Sequence, residues 1–445
     1  MDMTTLIPSF GGLAWTLIAF VVALSIIVFV HEYGHYIVGR WTGIKADVFS
    51  IGFGPVLASR TDRHGTRWQI AALPFGGYVK FRGDSDAASG KDAQAMSDLS
   101  QAERRETMHG APVWARSATV AAGPFFNFIL SILIFAGVVT AQGVATDLPT
   151  VGSVKPVPFA EGALQPGDRI LELAGQPTPS FEAMAEIADL LPPTPTVPYL
   201  VARAGDEISI EGPFPQPPLA DFVQPKSAAM EAGLQAGDTI LAVDGQPVYA
   251  FQQLREIVGA SDGQPLALDV WRAGETFEVT LVPRRADIPR PEGGFETRWL
   301  IGLSGGFVFQ PETRTPGPVE ALGLGVTATW DTITRSLSGL GHMISGAIST
   351  CNLSGPIGIA EVSGTAASLG IASFLLFIAA LSTGVGLLNL FPVPILDGGH
   401  LVFHAYEAVT GKPPSDRALR VLMAVGLALV GTLMIFAITN DLFCP

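Results

Sequence analysis

His31, Glu32 and His35 stand together in HEYGH, where an unbroken apolar run meets three ionisable side chains. On a helix, residues four apart share a face, so the two imidazoles can bind one metal ion while Glu32 projects beside them. Zinc suits imidazole ligands, acidifies a water and polarises a carbonyl, and a carboxylate can then take the water's proton. The pentapeptide thus holds the elements of peptide-bond hydrolysis. Ionisable groups inside a membrane span are costly and are functional candidates by default. The bland alternative is a His-Glu pair at a membrane boundary with exposed polar tips.

A catalytic zinc usually takes three protein ligands, and two histidines leave it one short. The segment NLFPVPILDGGH, residues 389–400, offers Asp397. His400 and His404 are rivals that spacing alone does not reject.

These residues need elements to carry them. Of the 445 residues 48% are hydrophobic and only 15% charged, and the mean hydropathy is +0.39, which points to a membrane protein with soluble parts. Four apolar runs are long enough to span as helices: 13–30, 114–141, 371–391 and 419–439. No Lys or Arg precedes the first, so it lacks the charged start of a secretory signal and reads as a retained span. Net charge is −14 with only 26 Lys and Arg, so no basic surface for nucleic acid is indicated.

Basic loops stay cytoplasmic. Residues 40–116 hold 11 Lys and Arg against 8 Asp and Glu, whereas 142–310 hold 10 against 22. The first loop is expected inside and the acidic middle outside, with both termini outside. HEYGH and Asp397 then lie at the cytoplasmic ends of spans one and three and can meet at one depth. Cys351 and Cys444 have no metal-binding spacing and are expected as two inert thiols rather than a bridge.

The middle repeats itself at an offset of 70 residues: ALQPGDRILELAGQP at 163–177 and GLQAGDTILAVDGQP at 233–247. Its Gly-Leu-x-x-Gly-Asp-x-Ile segment, complete in the second copy, resembles the PDZ domain, which binds extended peptide by strand addition. Beyond it, Leu322, Val326, Trp330, Ile333, Leu337, Leu340 and Ile344 form an amphipathic stripe, suited to the membrane surface or to packing on the modules or spans. Residues 49–83 alternate in short strands around a His64-Gly65 turn, as β-hairpins do.

HEYGH, the AGPFFN segment at 122–127, the tandem modules and NLFPVPILDGG together resemble the site-2 protease family of intramembrane zinc metalloproteases, most closely its bacterial sigma-E regulator branch. The resemblance implies that His31, His35 and Asp397 bind zinc, that Glu32 activates water, and that Asn389 holds substrate while Pro392 and Pro394 shape the backbone. It is this resemblance that selects Asp397 over His400 and His404. It also implies a re-entrant β element within 49–83 beside the active site.

The expected fold class is a membrane protein with an α-helical core of four spans, a cytoplasmic-side re-entrant β element and two extracytoplasmic PDZ-like α/β modules. Its divisions are 1–40, first span with HExxH; 41–113, cytoplasmic loop with the β element; 114–141, second span; 142–213 and 214–310, the two modules. There follow 311–370, amphipathic helix; 371–398, third span with LDG; 399–418, cytoplasmic loop; and 419–445, fourth span. Expected partners are the bilayer, single-pass membrane substrates such as an anti-sigma factor or signal-peptide remnants, and an upstream protease that trims them. The expected place is the bacterial inner membrane, with termini and modules periplasmic. A peptide-binding protein with a structural metal and a metal transporter are the rival classes, and the pairing of HExxH with LDG favours hydrolysis over both.

Overall fold

A computed structural model describes residues 6–84, 100–158, 163–290 and 294–444. Part of the expected cytoplasmic loop, 85–99, lies outside the described residues. The chain divides into two compact units, one of residues 1–138, 317–344 and 349–445 and the other of 139–316 and 345–348.

Helix α1, Leu6–Trp41, runs straight through HEYGH, so the motif sits inside a continuous helix. Strands β1, Ala46–Thr61, and β2, Arg67–Phe81, follow as one long antiparallel hairpin that folds back on itself. Phe49 pairs with Val79 on one side and meets Trp68 on the other, while Ser59 to Thr61 pair with Gln69 to Arg67. Four strand segments result, in the order 56–61, 67–71, 46–51, 77–81. The fold-back needs glycine: Gly52 has φ +88° and Gly54 φ +84°, a region that side chains with a Cβ avoid.

The hairpin is anchored to α1 by a buried aromatic cluster and one carboxylate. Tyr36 of α1 packs edge-on against Trp68 and Phe49, whose rings stack 4.2 Å apart. Asp62, in the tight turn, accepts from Tyr36 Oη and Trp68 Nε1 at 3.0 Å and from the backbone N–H groups of His64 and Thr66. Burial alone would raise the Asp62 carboxyl, but these four donors outweigh it and hold it at about 2. Because the folded-state value is depressed, this anchor contributes fully above about pH 4 and is lost only as pH falls through about 2.

A short helix, α2, Gln101–Arg105, leads into α3, Val113–Gln142, which is the second long apolar helix.

The second unit holds two copies of one design. Strands β3, Val144–Ala145, and β4, Val151–Val154, precede the first sheet of β5, Arg169–Leu173, β6, Gln176–Pro177, β7, Thr196–Arg203, and β8, Asp206–Pro213, ordered β6-β5-β7-β8 with α4, Phe181–Leu190, beside it. After β9, Phe222–Val223, and α5, Ala228–Glu231, the second copy repeats that order. Its strands are β10, Thr239–Val243, β11, Gln246–Pro247, β12, Leu266–Arg272, and β13, Glu275–Leu281, ordered β11-β10-β12-β13 with α6, Phe251–Gly259.

The repeated Gly-Asp now has a physical reason. Asp168 and Asp238 are fully buried, and each accepts from Nε and Nη2 of one arginine, Arg203 or Arg272, at 2.6–2.7 Å. The same arginines also donate to the carbonyls of Ala163 and Gly233. A bidentate pair of this kind fixes the loop before each strand against the strand two places on.

The copies are not two successive beads. After the hairpin of β14, Arg284–Pro289, and β15, Phe295–Leu300, the chain pairs β16, Leu303–Ser304, with β9 and then returns to the first copy. Val308 and Phe309 are buried in the first copy's core, β17, Phe309–Pro311, pairs with β4, and β18, Thr313–Arg314, pairs with β3. The sequence-based division after 213 does not show this: residues 307–314 complete the first module.

Helix α7, Pro318–Ile344, carries the amphipathic stripe, and its fully buried residues lie on the face beside it. Ala321, Gly325 and Thr329 are buried, and a Cβ at Gly325 would press on Ile132 and Ala136 of α3. Leu322, Val326, Trp330, Leu337 and Ile344 stay exposed. Small residues let two helix backbones approach closely, so they take the contact and leave the bulky stripe outward.

The remaining helices are α8, Pro356–Ser368, α9, Ile371–Asn389, α10, Asp397–Thr410, and α11, Asp416–Phe443. Among the described residues, four helical stretches are long and apolar enough to cross a membrane: Gly12–Trp41, Val113–Gln142, Ile371–Asn389 and Arg417–Phe443. The third ends at Asn389 rather than at 398, because Pro392 and Pro394 cannot continue a helix, and Asp397 opens the separate helix α10 instead.

Cys351 and Cys444 are bridged, with Cα atoms 5.5 Å apart, which corrects the expectation of inert thiols. Local hydrogen bonds bring them together across 93 residues. Asn440 donates to Thr350 O at 2.7 Å, and Asp441 accepts from the N–H groups of Gly355, Ile357 and Gly358 at the start of α8.

The two carboxylates are buried but Arg203 and Arg272 are a quarter to a third exposed, so losing a carboxylate costs the charge-assisted hydrogen bonds and the loop anchor, about 1–3 kcal/mol, and leaves an arginine that water can reach. Asp168→Ala and Asp238→Ala should therefore each destabilise the second unit by a similar amount, read as a lower urea midpoint for proteolysis within 139–316. A full loss at one site and none at the other would show that the two pairs are not equivalent.

Candidate metal centre

The three ligand candidates meet. His31 and His35 point their Nε2 atoms at each other across 3.2 Å, and Asp397 Oδ2 lies 3.2 Å from the first and 3.5 Å from the second. Among the described residues this is the only group of three or more His, Cys, Asp or Glu side chains whose ligand atoms lie close enough to hold an ion. Tetrahedral bonds of roughly 2.0–2.2 Å place ligand atoms about 3.4 Å apart, so the spacing suits a zinc-sized cation. The donor set agrees, and Asp397 Oδ2 is buried with no hydrogen-bond partner, as an atom reserved for a cation would be.

Each ligand is placed by local sequence. His31 and His35 lie one helical turn apart on α1, while Asp397 begins α10 after the proline turn. That turn is tight: a Cβ at Gly398 would overlap the carbonyl oxygens of Leu390 and Phe391, and one at Gly399 would overlap that of Val393. The two glycines of LDGG are thus required by backbone contact. Helix α11 seats on the same turn at Gly426, where a Cβ would come within 3.3 Å of Pro394.

Helix α3 closes the site. Its Gly123 faces the imidazoles, and a Cβ there would overlap His35 Nε2 and lie 2.9 Å from His31 Cε1. On the opposing surface, a Cβ at Gly34 would lie 2.6 Å from Ala122 O. His35 Nδ1 lies 2.9 Å from Thr119 O, and His31 Nδ1 lies 3.2 Å from the amide of Asn127. AGPFFN is therefore the surface on which HEYGH rests. Arg116 of α3 pairs with Glu407 of α10 at 2.7 Å, both largely buried, which ties the helix of Asp397 to the helix behind the histidines. Arg116, Thr119 and Glu407 escaped the sequence reading because nothing in their spacing marks them.

Glu32 sits beside the ligands and under the sheet. A Cβ at Gly77 would lie 3.2 Å from Glu32 Cγ, and the Val79 N–H hydrogen-bonds the Glu32 carboxylate. The segment 77–81 is an edge of the folded sheet that runs past the carboxylate, with Val79 N–H on Glu32 and Phe81 N–H on Asp84 Oδ2 at 3.0 Å.

The other candidates stand apart. Asn389 donates to Val385 O of its own helix at 3.1 Å, Pro392 is exposed and Pro394 half-buried. His400 and His404 lie further along α10 and are outside the cluster. Burial, and then the Arg116 cation, push His404 down to about 4, so it is neutral at pH 7.

Comparison with known proteins gives the family. The model of peptidase family M50 matches residues 19–433. A protein of Agrobacterium fabrum named as a zinc metalloprotease is 37% identical over 445 residues, covering 99% of both chains. One of Rhizobium meliloti with the same kind of name is 37% identical over 436 residues, covering 97% of each. The regulator of sigma-E protease of Salmonella typhimurium is 35% identical over 461 residues, covering 97% of this chain and 99% of its own.

The gap left by Gly123 gives a direct test. Gly123→Ala should drive both imidazoles from their common point and lower zinc retention more than tenfold in a chelator challenge, with the unfolding temperature reporting that the chain is folded. Undiminished retention in a folded variant would mean that the imidazoles do not share an ion here.

Proposed function

The chain belongs to peptidase family M50, the site-2 proteases, and from that premise we propose that it hydrolyses peptide bonds within transmembrane segments of other membrane proteins at the centre formed by His31, His35, Asp397 and Glu32. It is a zinc metalloprotease of the site-2 type. The observation that carries the reading is the convergence of both Nε2 atoms and Asp397 Oδ2 at 3.2–3.5 Å beside a carboxylate.

In this reading His31, His35 and Asp397 hold zinc, which when bound acidifies water and polarises a carbonyl. Glu32 takes the proton of the attacking water. A transmembrane helix hides its carbonyls in internal hydrogen bonds, so the substrate must be extended before attack. The β element within 49–83 is assigned to pair with it, its edge segment 77–81 running past Glu32. Asn389 is assigned to holding that strand, with Pro392 and Pro394 setting the backbone nearby. The folded hairpin exposes Phe53, Val56, Leu57, Ile70 and Leu73, an apolar surface that fits a re-entrant element in contact with lipid.

The protein is assigned to the bacterial inner membrane, with the centre toward the cytoplasm and the termini and modules in the periplasm. The loop charges support this orientation, and so does the Cys351–Cys444 bridge, which suits an oxidising compartment. The two β modules are assigned as PDZ-like filters. Beside the second, a cleft of about 460 Å³ lies between α6 and the β14–β15 hairpin, lined by Arg255, Glu256, Ile288, Arg298 and Trp299. The substrates are membrane stubs trimmed by an earlier protease, an anti-sigma factor or signal-peptide remnants. The sigma-E regulator of Salmonella typhimurium is the relative whose name supports the first.

Glu32→Gln should keep zinc bound while abolishing cleavage, and should trap uncleaved membrane substrates for identification by crosslinking. Persisting cleavage, or zinc transport across vesicles, would sink the protease reading. Deleting residues 144–314 should let untrimmed substrate be cut, and unchanged selectivity would argue against a filter.

A further inference from the structure

Thr119, Gly123 and Asn127 follow one another at four-residue steps and so share one face of α3. That face meets His31 and His35, themselves four apart on α1. The register is one to one: the Thr119 carbonyl faces His35 Nδ1, the Asn127 amide faces His31 Nδ1, and Gly123 leaves room between them for both rings. Both Nε2 atoms are thereby turned to the same point.

For His35 the proton is fixed by chemistry. A backbone carbonyl can only accept, so Nδ1 carries the hydrogen and Nε2 carries the lone pair. For His31 the partner is ambiguous, since an amide can donate or accept. The structure sets Asn127 Nδ2 against His31 Nδ1 and leaves Asn127 Oδ1 buried without a partner. The two ends of an amide are told apart only by their hydrogen bonds.

We propose that Asn127 is a positioning residue for the metal centre: its side-chain oxygen accepts from His31 Nδ1–H, holding that imidazole in the tautomer that offers Nε2 to zinc. The proposal rests on the metal-centre reading above. Turning the amide by half a revolution satisfies the orphaned oxygen and leaves the NH₂ group for a buried water. Asn127 is fully buried, and its own carbonyl is held by the hydroxyls of Ser131 at 3.0 Å and Ser382 at 2.9 Å, so its place is set from both α3 and α9.

The test is zinc competition against a chelator with the full chain in detergent, comparing wild type, Asn127→Leu and Asn127→Asp. Outer partners of metal-bound histidines are worth about 10–100-fold in affinity. Leucine, similar in size but unable to accept, should weaken zinc by that factor. Aspartate, which keeps an acceptor, should restore it to within a few-fold of wild type. Wild-type affinity in Asn127→Leu, or equal losses in both variants, would reduce Asn127 to packing between α3 and α9 and overturn the proposal. Nitrogen NMR of labelled histidine in zinc-loaded wild type reads the same point without mutation: His31 must show a protonated Nδ1 and a ligated Nε2, and the reverse overturns it. Absence of zinc binding in wild type would instead strike the metal-centre reading itself.

Discussion

A polar group surrounded by hydrocarbon must find its partner inside the protein, and in the apolar unit those partners converge on α3. His35 reaches Thr119, His31 reaches Asn127, the Ser131 hydroxyl reaches Ala379 O of α9, and Arg116 reaches Glu407 of α10. Such contacts require backbones to come close, which is why glycine recurs where helices meet α3. Gly34 of α1, Gly325 of α7 and Gly386 of α9 each face it where a Cβ would press on an α3 carbonyl or side chain. The ligand geometry follows from this packing, since α1 and α10 are both held from the same helix.

What the sequence disclosed of the centre was the part encoded locally. HEYGH needs only a helix for its two imidazoles to share a face, and the uninterrupted apolar runs announce their helices by length alone. Asp397 was different. Its distance to the histidines depends on where α9 stops and how sharply the chain turns through Pro392 and Pro394, so spacing left it level with His400 and His404. AGPFFN stood out only by resemblance, because glycine and asparagine in an apolar helix carry no periodic signal of what they face. The disulfide was illegible for a related reason: its two ends are brought together by Asp441 and Asn440, long after Cys351 in the chain.

In the other unit the repeat was plain, yet its cause was hidden. The two aspartates recur at 238 − 168 = 70 residues and their arginines at 272 − 203 = 69, so a fixed offset finds the acids and misses the bases. The amphipathic stripe of α7 was legible, but the contact beside it was not. Its periodicity is carried by large apolar residues, whereas the close packing on α3 uses the small ones beside them, which carry no hydropathy signal.

The return of the chain from β16 to β18 has a bearing on how the molecule comes to exist. The first module lacks Val308, Phe309 and two of its strand partners until more than ninety later residues, from 214 onward, have emerged. During synthesis it must wait with an open core while the second module, whose own cluster needs nothing beyond Leu303, can close around it. The later-made module is thus the first able to finish.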